Sequence, residues 1–211
     1  MMQEQHIQEF ILNQTTDWLQ EDLKIIEQEF PLHREQITAS LAGVLTRICQ
    51  QGYELQQTTN KGPAAYLCIS FLRTNLLDDN WQYRLDLYDE RFYLDPIECT
   101  ESWEFDFIWQ LLQRRMNQLM ETIRHSLYAN KIRSYHINQI RQTMAEQYQQ
   151  AAILLTGTII PEAVQQLDTA GINLAAVMTL LMGEYQDYSV ALYEWQCDAK
   201  QKDEALCNIS G

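Results

Sequence analysis

The chain has 211 residues, with 15 Lys and Arg against 29 Asp and Glu, a formal net charge of −14. Hydrophobic residues make up 46%, and there are only 7 Gly and 4 Pro, which excludes a disordered, collagen-like or low-complexity polymer and disfavours a many-turned β sandwich. No apolar run reaches the roughly 18 residues of a membrane span, so no membrane association is expected.

A length of this order suits one globular domain over residues 1–211, able to bury a core without disulfides. The opening Met1-Met2-Gln3-Glu4-Gln5-His6 has neither a basic stretch nor an apolar one, so no secretory signal is expected. The five cysteines, Cys49, Cys68, Cys99, Cys197 and Cys207, are odd in number and include no C-x-x-C pair. They read as free thiols of a cytoplasmic protein, and their spacing does not suit a zinc framework.

Charge is segregated along the chain. Residues 76–106 hold ten acids and two bases, whereas residues 107–150 hold six bases and two acids. Nucleic-acid affinity comes mainly from phosphate contacts, so nucleic-acid binding is not expected of a chain this acidic.

In chain order, a helix is expected over 3–29, with Ile7, Ile11, Trp18, Leu19, Leu23 and Ile26 on one face. Pro31 is expected to end it, and a second helix over 33–50 completes a helical hairpin, 3–50. Asn60-Lys61-Gly62-Pro63 reads as a loop. The period then changes. Residues 64–76 are rich in strand formers, residues 81–88 alternate apolar and polar, and 91–94 reads as a third short strand. Together these predict an antiparallel three-stranded meander over 64–94, apolar on one face.

Asp95-Pro96 breaks the sheet, and Thr100 or Ser102 is placed to cap a helix over 103–128. Further helices are expected over 133–156 and from Pro161 to Gly171. In 173–196, Leu174, Val177, Leu181, Tyr185, Tyr188, Leu192 and Trp195 step by three and four, which favours a helix. A hairpin turning near Gly183 is the rival. Residues 197–211 read as a frayed tail. The fold class is therefore α+β, predominantly helical, with five to six helices on one face of a small antiparallel three-stranded meander and a helical region over 103–196.

No Gly-rich phosphate loop, nucleophile elbow, H-E-x-x-H or E-x-x-H pattern occurs. No cofactor is therefore expected, and no characterised family is identified. Three weaker constellations stand out. Arg73, Arg84, Asp86 and Asp89, with Glu90 and Asp95, lie around the expected strands as ligand-binding candidates; the plainer reading is a solvated outer face. Glu121 and His125 are four apart on a helix, and with His136 across the next loop they are metal-ligand candidates; the plainer reading is a surface pair. Trp103, Phe105, Tyr188 and Trp195 supply aromatic surface outside a single apolar stripe, which suits a partner contact as well as it suits core.

These features point first to a non-enzymatic interaction or regulatory protein with a protein partner or a homo-oligomeric state. An enzyme or small-ligand binder with a site between sheet and helices is the alternative. A phosphate or nucleic-acid binder using Arg114, Arg115, Arg124, Lys131 and Arg133 is the second. Whether the chain is catalytic stays open at this stage.

Overall fold

The computed structural model describes residues 7, 9, 10, 15–76, 80–169 and 171–196. The expected turn residues Asp78 and Asp79 and the expected tail 197–211 lie outside the described residues. Three α-helices form among the described residues: α1 (Trp18–Thr58), α2 (Asp106–Arg124) and α3 (Ser134–Gln165). Five strands join them: β1 (Ala64–Phe71), β2 (Gln82–Asp89), β3 (Thr100–Glu104), β4 (Leu174–Glu184) and β5 (Ser189–Gln196). The strands make one sheet in the order β3-β2-β1-β4-β5. All neighbours are antiparallel except β1 and β4, which are parallel. No helix of the described residues is long and apolar enough to cross a membrane.

The class is α+β, but the expected meander under five to six helices is overturned by this mixed five-stranded sheet and its three helices. Each departure has a local cause. Pro31 does not end the first helix; it lies inside α1, so residues 18–50 of the expected hairpin lie in one continuous helix. A proline removes one hydrogen bond to the residue four back and costs about 3 kcal/mol inside a helix. Here both Pro31 and Glu27 are exposed, so water can take up the released carbonyl, while buried Ile26, Phe30, Leu41 and Leu45 anchor the helix on both sides. In the same way α3 runs through Gly157 and Pro161, held by fully buried Ile159, Ile160 and Ala163.

Residues 92–94 form a 3-10 turn rather than a strand, with Phe92 in the left-handed region at φ 55°. The third strand is instead Thr100–Glu104, the stretch expected to begin a helix, and it pairs Trp103 with Tyr83 and Ser102 with Arg84. Residues 174–196 adopt the rival hairpin. Gly183 explains why: a Cβ there would lie 2.1 Å from the Tyr188 carbonyl oxygen and 2.5 Å from Ser189 Cα. The backbone of β5 therefore passes where a side chain would stand, and Gln186 turns the chain at φ 55°.

The chain forms two compact units. The first comprises Met1–Arg34, Arg73–Trp81 and Phe105–Ala152, and the second Glu35–Leu72, Gln82–Glu104 and Ile153–Gly211. In the first unit, Ile108, Trp109, Leu112, Met116 and Leu119 of α2 are buried at helical spacing. Asp22 of α1, Arg115 of α2 and Tyr148 of α3 meet there in one buried polar contact. Arg115 Nη2 donates to Asp22 Oδ1 at 2.7 Å, and the Tyr148 hydroxyl donates to Asp22 Oδ2. In the second unit, the C-terminal half of α1 buries Leu41, Val44, Leu45, Ile48 and Cys49. Gly52 permits a close approach there, because a Cβ would meet Leu87 Cδ2 at 2.7 Å and Ile172 Cδ1 at 2.6 Å.

These environments separate two glycines. Gly183→Ala forces backbone against side chain, and unfolding in urea will show a loss of roughly 1–3 kcal/mol. Gly43→Ala places a Cβ in ordinary contact with Arg47 Nη1 at 3.8 Å inside α1. It will stabilise by about 0.5–1 kcal/mol, because alanine gives up less backbone entropy in a helix.

Candidate functional site

The sheet of the second unit has two different faces. Residues paired across a sheet share a face, so the register sorts them. Leu67, Ile69 and Phe71 of β1 lie with Leu87, Leu85 and Tyr83 of β2, with Leu180 and Met182 of β4, and with Trp103 of β3. All of these are buried, and the Tyr83 ring lies 5.8 Å from Trp103 and 6.1 Å from Phe71.

The opposite face carries Tyr66, Cys68 and Ser70 of β1, paired with Tyr88, Asp86 and Arg84 of β2. Sequence alternation suggests a solvated surface, but Cys68, Ser70 and Asp86 are all buried. Asp86 accepts both Arg84 Nε (2.9 Å) and Arg84 Nη2 (2.8 Å). Arg84 Nη2 also donates to Glu98 Oε1 at 2.8 Å, and the guanidinium lies over the Tyr185 ring at 5.2 Å. The hydrogen bond to Asp86 holds Arg84 firmly protonated. Two carboxylates around one guanidinium leave this group one negative charge in excess.

Beside it lies an aromatic cluster. Phe92 meets Tyr66 edge-on at 4.7 Å and Tyr88 at 5.5 Å, and packs on Tyr93 at 4.0 Å. Burial, and then the nearby Asp86, push the Tyr88 phenol well above its ordinary range; Tyr93 moves the same way, chiefly by burial. Tyr93 is 39% and Leu94 83% exposed, so the turn Phe92–Leu94 presents apolar surface outward.

That turn is fastened from behind by ion pairs. The side chains of Lys61 and Asp95 are both 0% exposed, with Lys61 Nζ 2.6 Å from Asp95 Oδ2 and donating also to the Ile97 carbonyl at 2.9 Å. The Asp95 carboxylate accepts the backbone N–H groups of Asp89 (3.1 Å) and Ile97 (2.9 Å). Asp89 in turn accepts the N–H of Gly62, the N–H of Arg91 and the Arg91 guanidinium. Burial opposes ionisation of Asp89, but these hydrogen bonds outweigh it and hold its carboxyl below the usual range.

Of the sequence candidates, Arg84 and Asp86 thus meet on the sheet, and Asp89 belongs to the clasp behind the turn. Arg73 lies in the first unit, 3.8 Å from Glu146, with both side chains exposed. Glu121 on α2 and His125, just past its end, form an exposed pair at 3.9 Å, and Glu121 also accepts Arg124 at 2.9 Å. His136 is buried, its Nδ1 accepting the N–H of Arg133 at 2.9 Å. No group of three or more His, Cys, Asp or Glu among the described residues is arranged to hold a metal. Trp103 and Phe105 are each 1% exposed and belong to the core; Trp195 is half-buried on β5, and Tyr188 is 67% exposed at the hairpin.

Asp95, grouped with the strand carboxylates in the sequence, also belongs to the clasp, whereas Lys61, Tyr66 and Tyr185 join the site without having been candidates. Lys61 has no sequence signal, since its neighbours Asn60, Gly62 and Pro63 read only as a loop. Cys49, Cys68 and Cys99 are free thiols, each pushed up to about 12 chiefly by burial.

Three outcomes follow. Lys61→Met leaves Asp95 buried without its cation and will cost about 3–5 kcal/mol in urea unfolding. Arg47→Ala removes a partly exposed pair with Glu101 and will cost about 1 kcal/mol or less. In a chain carrying Cys197→Ser and Cys207→Ser, a thiol reagent at mildly alkaline pH will leave the three remaining cysteines unmodified until urea unfolds the protein. No protein-family model matches the chain, and no curated protein or solved structure is similar to it.

Proposed function

We propose that the chain is a non-enzymatic interaction protein, and that the outer sheet face of its second unit, with the turn Phe92–Leu94, docks a basic partner protein. The observation that carries this reading is the fastened turn. Leu94 and Tyr93 are held outward by a clasp whose central ion pair is shut away from solvent. A preformed apolar contact loses little conformational freedom on binding, and aromatic side chains in such positions contribute most to affinity.

Charge supports the basic character of the partner. In residues 82–104, Asp86, Asp89 and Asp95 are engaged by Arg84, Arg91 and Lys61, and the exposed acids are Glu90, Glu98 and Glu104. Residues 153–196 carry five acids (Glu162, Asp168, Glu184, Asp187, Glu194) and no base. Complementary charge speeds encounter and rejects acidic competitors. The titratable groups of the face engage one another, Arg84 with Asp86 and Glu98, which fits a shaped surface. The three buried free thiols suit a reducing cytoplasmic setting.

The test uses the full chain and labelled peptides that share a leucine–tyrosine anchor but differ in flanking charge. Basic peptides will bind, their affinity will fall as salt rises, and Tyr93→Ser with Leu94→Ser will weaken binding by tenfold or more. Equal binding of acidic peptides, or an unchanged affinity in the double variant, overturns the reading.

A further inference from the structure

We infer that one partner of this face is a second copy of the chain, presenting the stretch from Arg124 to Tyr135 of its first unit. The inference rests on the docking role of the face proposed above. It adds the identity of the occupant, and it is drawn from complementary chemistry within the same sequence.

Between α2, which ends at Arg124, and α3, which begins at Ser134, the chain makes a connection that is apolar, basic and exposed. Leu127 is 93% and Tyr135 57% exposed, the exposed large hydrophobic side chains of this stretch. Lys131 and Arg133 lie exposed between them, and Arg124 flanks Leu127. No ion pair engages Lys131 or Arg133 among the described residues; the Lys131 ammonium lies over the Tyr128 ring at 5.8 Å. The connection is preformed. The Ser126 hydroxyl donates to the Ile123 carbonyl and accepts the N–H of Tyr128, the Tyr128 carbonyl accepts Lys131 and Ile132, and His136 Nδ1 accepts Arg133.

The two surfaces match in kind. One offers Tyr93 and Leu94 with exposed Glu90 and Glu98 on either side in the chain; the other offers Leu127 and Tyr135 with exposed Lys131 and Arg133 between them. Each is a rigid turn with two apolar anchors, and their flanking charges are opposite. Two copies at −14 repel each other as wholes. At physiological salt, charges more than about 8 Å apart are largely screened while groups in contact are screened far less, so the local attraction survives the global repulsion. The contact joins unlike surfaces and is therefore heterologous.

The experiment is sedimentation velocity of the full chain over a wide concentration range at physiological salt. One variant reverses charge on the face (Glu90→Lys with Glu194→Lys, the latter on this face because it pairs with Thr179, which pairs with Tyr66), and another reverses it on the connection (Lys131→Glu with Arg133→Glu). All four positions are exposed, so circular dichroism will show the fold unchanged. Wild type will associate, each variant alone will sediment as a monomer, and an equimolar mixture of the two variants will associate again. A wild type that stays monomeric, a variant that still associates alone, or a mixture that stays monomeric overturns the inference. If wild type is monomeric but still binds the basic peptides, only the second copy falls as partner; if it does neither, the docking role of the face falls as well.

Discussion

Strand β1 must bond on both edges and bury both faces, and the second unit is built around that constraint. Its pairing with β2 on one side and β4 on the other satisfies the backbone. Every residue from Ala64 to Phe71 except Tyr66 is buried. A strand covered on both faces reads as a nearly continuous apolar run, which is how Ala-Ala-Tyr-Leu-Cys-Ile-Ser-Phe reads. Side chains on the second face therefore need cover as well. Tyr66, Tyr88, Phe92 and Tyr93 supply it, and on the proposed reading the same rings, half in solvent, are the surface a partner meets.

Cover by a turn works only if the turn has one conformation. Phe92 adopts φ 55°, which is unfavourable for a bulky residue. The clasp of Lys61, Asp89, Arg91 and Asp95 fixes the chain on both sides of it. Burying such charges is expensive, and apolar replacements are often as stable. The gain is geometric: the Asp95 carboxylate takes two backbone N–H groups, and Lys61 ties that carboxylate to the loop before β1. The first unit repeats the device in another form, where Asp22 receives Arg115 and Tyr148 and so joins three helices at one point.

The alternation over 81–88 located β2 and its inward set Tyr83, Leu85 and Leu87, and the strand formers after Ala64 located β1. What sequence periodicity does not carry is pairing. The parallel partner of β1 lies more than a hundred residues downstream, and its apolar residues step by three and four as a helix would. Gly183 held the decisive information, but a glycine's close approach is invisible without its neighbour. Pro31 misled for the opposite reason: the rule against proline is local, and burial on either side of it outweighed the rule. At the site, Arg84 and Asp86 were legible as strand neighbours two apart. The clasp was not, because Lys61 and Asp95 are distant in sequence and their meeting depends on the turn they create.

Exposed Leu94 and Leu127 pose a common problem, since apolar side chains on rigid turns adhere without discrimination. Charge solves it in two steps. The large negative total keeps molecules apart at a distance, where only net charge is felt. At contact only the local pattern counts, and there the acids around Tyr93 and Leu94 admit cations and turn away like charge. Discrimination of this kind needs repulsion as well as attraction. On the proposed reading, the segregation of acids and bases into different stretches of the chain is what converts two sticky turns into one selective contact.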